Sequence, residues 1–187
     1  MSISAGQAAA ALQEIERTEL RTRVSGGYAA ASPHLILWGC VWAVGYAGCG
    51  LAPPDKWGLV WLPLILIGAV ASAWFGHRAA RAGARTGKSG WRSAGMAGAI
   101  AVFMGSTYFL FRATDPLPYL VFPALLTGLV YTLAGLLAGL ARFVAIGAMI
   151  FAATLAGYVA APALTAFWVA IAGGGGLILG GLWLRKV

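Results

Sequence analysis

Two histidines, two cysteines and five acidic side chains are all the imidazole, thiol and side-chain carboxyl groups in these 187 residues. His34 stands where the chain enters one long apolar run, and His77 stands just after the next run has returned, so the two imidazoles fall at similar depth on neighbouring antiparallel helices. Facing imidazoles, with Arg78 and Arg81 beside them for propionates, are the donor set of a b-type haem or part of a metal site. Histidines at a membrane boundary with no third ligand are equally ordinary, and no cofactor is the first expectation. Cys40 and Cys49 lie nine residues apart on one run, about 13 Å along a helix, too far for an intrahelical disulfide. They read as small apolar packing residues. The chain has no Cys-x-x-Cys pair and no His-Glu-x-x-His helix. Gly87-Lys88-Ser89 resembles the end of a phosphate loop but has Ala82 where that motif needs glycine. Catalysis by proton transfer lacks its groups, so a non-enzymatic role is expected.

Weakly polar side chains and glycines make up the remaining candidates. Thr127 and Tyr131, four apart, share a helix face, and with Tyr158 they could line a polar track for a neutral solute. Beside that track the run Gly173-Gly174-Gly175-Gly176 would interrupt a helix, exposing backbone groups at Gly174 and Gly175 to a substrate as in discontinuous carrier helices. The competing reading of the same glycines is close helix contact, with Gly176 and Gly180, and Gly135 and Gly139, as small-xxx-small pairs. Trp38, Trp57, Trp91, Trp168 and Trp183 read as interfacial belt residues. Trp42 and Trp61 fall deeper, where an indole N–H needs a partner.

The elements that must position these residues are six apolar segments, 33–52, 57–76, 94–111, 117–138, 143–161 and 163–184. Each is long enough to cross about 30 Å of hydrocarbon at 1.5 Å per residue. With 60% hydrophobic and 10% charged residues and a mean hydropathy of +0.83, the expected class is an all-α integral membrane protein. Short turns around 53–56, 112–116 and 160–162 would make three antiparallel hairpins, with Ser32-Pro33, Asp115-Pro116 and Pro162 marking helix starts. Pairing of Leu62-Pro63 and Gly68 with Phe122-Pro123 and Gly128, at an offset of 60 residues, hints at an internal repeat.

Charge orients the segments. With the amino terminus inside, inner segments hold eleven basic against three acidic residues, and the outer side holds two of each: Lys56 and Arg112 against Asp55 and Asp115. That asymmetry predicts both termini in the cytoplasm, in an inner membrane whose anionic leaflet attracts the excess; a nucleic-acid partner is not expected. Residues 1–32 carry no secretory apolar core, so the first membrane segment is expected to be retained as an anchor. They are expected to form a short cytoplasmic helix, capped at Ser4 and Gln7, with Glu14–Arg17 and Glu19–Arg23 side-chain pairs, and ended by Ser25-Gly26-Gly27. The reading favoured by the missing reactive groups is a protein that works as a homo-oligomer or as a subunit of a larger complex, its amino-terminal helix lying solvated against the inner leaflet or docking a partner. The rival is a carrier for a neutral or apolar solute or lipid, and the third is an interfacial haem-binding electron-transfer subunit.

Overall fold

A chain with so little charge meets a solvent that cannot bond its backbone, and helix satisfies every N–H and C=O within one segment. The computed structural model describes residues 5–81, 89–111 and 115–186, and among them no strand occurs. Ser4 of the expected cap, Gly87 and Lys88, and the cations Arg85 and Arg112 lie outside the described residues, as do the side chains of Arg23, Trp91 and Arg92. The helices are α1 (Ala5–Leu51), α2 (Trp57–Arg81), α3 (Ser89–Phe111), α4 (Leu117–Ala138), α5 (Ala141–Ala160) and α6 (Pro162–Leu184). Five are long and apolar enough to cross a membrane, which makes this a membrane protein. In α3 the apolar helix described, Gly95–Phe111, is shorter.

Its longest element departs from the expected boundaries. One 47-residue helix, about 70 Å long, runs through both Ser25-Gly26-Gly27, expected to end a helix, and Ser32-Pro33, expected to start one. Glycine costs a helix about 1 kcal/mol relative to alanine and an interior proline about 3. Tertiary burial overrides both signals. Tyr28 is buried and stacks on Phe143 of α5, Val24 and Ala31 pack with it, and the Tyr28 hydroxyl accepts from Arg142 N–H at 3.2 Å. Ser32, buried rather than capping, donates to Gly181 O of α6 at 2.7 Å and accepts from Arg185 Nε at 3.2 Å. Residues 11–22 are exposed throughout, and Glu14 and Arg17 form no ion pair; instead Thr18 Oγ1 donates to Glu14 O at 2.8 Å. The Asp115 cap is present, its Oδ1 accepting from Leu117 N–H at 2.9 Å.

Glycine sets how closely the helices approach. Helices α4 and α5 pack closely, across the boundary between two expected hairpins. A methyl group on Gly128 would lie 2.8 Å from Gly147 O, so the two backbones touch. Gly139, expected to join Gly135 on a packing face, instead ends α4 at φ 68°, a left-handed cap. Helix α6 runs antiparallel along α1, and its turn through Ala170–Gly175 widens to π-helical spacing without breaking. Gly174 presses there against Ala43 of α1, and Gly176 and Gly180 face Ile150 and Ile146 of α5. Helices α1, α4, α5 and α6 thus form the bundle, and among the described residues α2 packs chiefly on α1. The repeat finds no counterpart: buried Gly68 faces the preceding helix, whereas buried Gly128 faces the following one.

Candidate functional site: an aromatic cavity between four helices

Four helices each present residues at a spacing of four toward a common space of about 400 Å³. Helix α1 contributes Trp38, Trp42 and Tyr46; α2 contributes Trp57, Trp61 and Ile65. From the other side come Met104 and Tyr108 of α3 and Tyr119, Pro123 and Thr127 of α4, with Leu120 beside them. A step of four residues stacks side chains one turn apart on one face. The cavity therefore runs lengthwise, from the turns at Ala52–Lys56 and Asp115–Pro116 toward mid-helix.

Glycines seat the tryptophans. The Trp61 ring lies where a side chain on Gly45 would be, 2.7 Å from that Cβ position, and the Trp42 benzo edge lies 3.0 Å from the equivalent point on Gly173. The Trp38 ring covers Gly68 in the same way at 3.3 Å. Larger residues at these glycines would push the rings into the cavity. Between the tryptophans Tyr46 is wedged, its ring at 5.4 Å from Trp42 and 5.0 Å from Trp61, both edge to face.

Proline builds the opposite wall. Pro123 has no N–H, so the carbonyl of Tyr119, four residues earlier, loses its helical partner. The Tyr108 hydroxyl donates to that oxygen at 3.2 Å, and the Tyr108 ring packs on Tyr119 at 4.8 Å and on Phe122 at 5.9 Å. Phe103 adds a ring contact to Phe122. These aromatic contacts and the Tyr108 hydrogen bond attach α3 to α4. Helix α2 is held by α1 and α3 by α4, and both α2 and α3 line the cavity.

Polar groups in this cavity divide into satisfied and free. Trp38 Nε1 donates to Ser72 Oγ at 3.1 Å, Trp57 Nε1 to the Cys49 and Ala52 carbonyls at 3.0 and 3.1 Å, and the Trp61 indole reaches the Cys49 thiol. Among the described residues nothing accepts from the Trp42 N–H, and neither the Tyr46 hydroxyl nor the Thr127 hydroxyl has a hydrogen-bond partner, although Tyr46 is only 2% exposed. Trp42 turns its benzo edge to Gly173 of α6, so its N–H, on the other edge, points away from that helix. No described lining residue carries a charge.

The residues expected from sequence to form sites are dispersed. His34 packs edge-on against Phe75 at 5.8 Å, while His77, two residues and about 200° further round α2, is exposed on a different face. Arg78 lies over the Trp74 ring at 4.7 Å. The two imidazoles are not brought together, and the residues around them do not fit a haem clamp. No three metal-ligating side chains gather among the described residues. Of the expected polar track only Thr127 reaches the cavity: Tyr131 packs on Phe143 at 5.7 Å on the α5 side, and Tyr158 is half-buried on α5. Gly174 is buried against α1, and Gly175 is half-buried with open space beside it. What sequence reasoning missed is the aromatic set itself. Its signal was present in the spacings Trp38-Trp42-Tyr46 and Trp57-Trp61-Ile65, obscured by assigning Trp38 and Trp57 to the interfacial belt.

Comparison of the chain with models of protein families, with curated proteins and with solved structures finds no match.

Proposed function

We propose that this is a non-enzymatic six-span protein of a bacterial-type inner membrane, both termini cytoplasmic, that binds and carries a neutral or apolar solute or lipid in the aromatic cavity. The observation that carries this reading is the cavity's composition: aromatic walls, no charge, and three polar groups left without partners. Ligand sites are commonly concave, mostly apolar and equipped with a few placed polar groups, within about 300–1,000 Å³. Access is from the side, between α2 and α3, where a membrane-dissolved molecule arrives without crossing a polar surface. The short apolar length of α3 is supplemented by Ser89–Ala94 in reaching across the bilayer, and the inner excess of arginine and lysine supports the orientation.

A ligand that binds only the folded protein raises its stability by RT ln(1 + [L]/Kd). Thermal unfolding of the full chain across a panel of neutral membrane-soluble molecules is therefore expected to show upward shifts for some of them. Thr127→Trp, which fills the cavity, should unfold at a temperature near that of the ligand-free parent and show no shift. A panel without any shift, or shifts that persist in Thr127→Trp, would remove the cavity as the site.

A second reading, work as a homo-oligomer or as a subunit of a larger complex, is favoured by the stripe Leu62, Leu66, Val70 and Trp74, which leaves one face of α2 wholly exposed.

A further inference from the structure

If the cavity binds a carried solute, as proposed for this protein's function, its chemistry narrows which solute that is. Trp42 N–H can only donate, while Tyr46 O–H and Thr127 O–H can donate or accept. A polar group that opens on an apolar cavity without a partner gains a hydrogen bond only from what enters it, and Trp42 can only donate, so the occupant that gains most is one that brings acceptors. The donors stand on two walls, Trp42 and Tyr46 on α1 and Thr127 on α4, helices that share the core cluster of Tyr46, Cys49, Leu120 and Ala124. Acceptors at two edges of one ring answer that arrangement.

Charge points in the same direction. The described walls hold neither a carboxylate for a cation nor an arginine or lysine for an anion. Aromatic cages hold cations through ring faces, but here Trp42, Tyr46 and Trp61 meet edge to face, so faces are occupied by neighbouring edges. The Trp42 N–H, which can only donate, attracts a carbonyl oxygen and disfavours a cation. The remaining lining, Ile65, Met104, Leu120 and Pro123, is apolar.

We propose that the cavity takes an uncharged, lipid-soluble ring with acceptor oxygens at opposite edges, a molecule of the quinone class. The ring lies between the Trp42–Tyr46 wall and Thr127, and its tail leaves between α2 and α3 into the bilayer.

The test uses the full chain in phospholipid nanodiscs and three probes sharing a ten-carbon tail: a decyl-tailed 1,4-benzoquinone, decylbenzene and decyltrimethylammonium. Uptake in excess of protein-free nanodiscs is measured at equilibrium. The expected result is saturable quinone binding near one per chain, with each control at least about tenfold weaker, the scale of one lost hydrogen bond to a buried donor. Tyr46→Phe and Thr127→Val should each weaken quinone binding by about tenfold. Because the Tyr46 hydroxyl has no hydrogen-bond partner among the described residues, Tyr46→Phe should unfold no lower than the ligand-free parent, separating lost binding from lost folding. Decylbenzene bound as tightly as the quinone, or variants without effect, would overturn the acceptor inference and leave the carrier reading standing. Preference for the ammonium probe would overturn it in favour of a cation. Saturable binding of no probe would overturn both.

Discussion

Single side chains in this protein act where the backbone has been left incomplete. Pro123 strips Tyr119 O of its helical donor, and Tyr108 supplies one from another helix, so a proline that would only weaken α4 becomes the attachment point of α3. Tyr108→Phe keeps the ring contacts and removes the bond. It should cost about 1 kcal/mol of stability and speed amide exchange in 95–111 while leaving α5 and α6 protected. Equal exchange in both proteins would show that the rings alone hold α3. Ser32 follows the same logic in reverse: expected to cap a helix, it bonds the penultimate turn of α6 from the middle of α1. The donor type was legible in the sequence, but its acceptor, 149 residues away, was not.

At the scale of elements, glycine does two jobs that a sequence does not separate. Some glycines let backbones meet, and others leave room for an indole. In the run at 173–176 the first seats Trp42, the second touches Ala43 and the fourth faces Ile150, while the third meets nothing. Gly174→Ala would put its methyl 2.6 Å from Ala43 N and should lower stability by about 1–3 kcal/mol, the usual range for overpacking. Gly175→Ala should not lower it. Unfolding temperatures of the two variants would check the pair, and equal losses would contradict the packing described. Helix boundaries show the same division between local and distant causes. The start of α4 was readable because Asp115-Pro116 is a local signal acting locally, whereas Gly139, expected on a packing face, ends the helix. The limits of α1 were not readable, because Gly26, Gly27 and Pro33 also signal locally and were overruled by Tyr28 packing on Phe143. Spin labels at exposed positions 12 and 51, with Cys40 and Cys49 replaced by alanine, should lie about 58 Å apart if the helix is continuous. A short, broad distribution would restore the break at Gly26-Gly27.

The whole molecule combines a glycine-packed bundle of α1, α4, α5 and α6 with two loosely attached helices, and the cavity lies between the two parts. Loose attachment has a physical use here, since helices held by a few side-chain contacts open at lower cost than those joined by backbone contact. Composition announced the membrane, and hydropathy marked the apolar helices α2, α4, α5 and α6 to within a few residues. The site stayed hidden because no residue in it is reactive. It arises from ordinary tryptophans and tyrosines at a four-residue spacing, brought together by a helix order that the sequence does not state. Whether the cavity holds a ligand in the cell can be read by native mass spectrometry of the full chain released from its own membrane in mild detergent. The parent protein should retain one small molecule per chain, and Thr127→Trp should retain none. A parent chain that emerges bare, or a variant that retains the same mass, would contradict the cavity as the binding site.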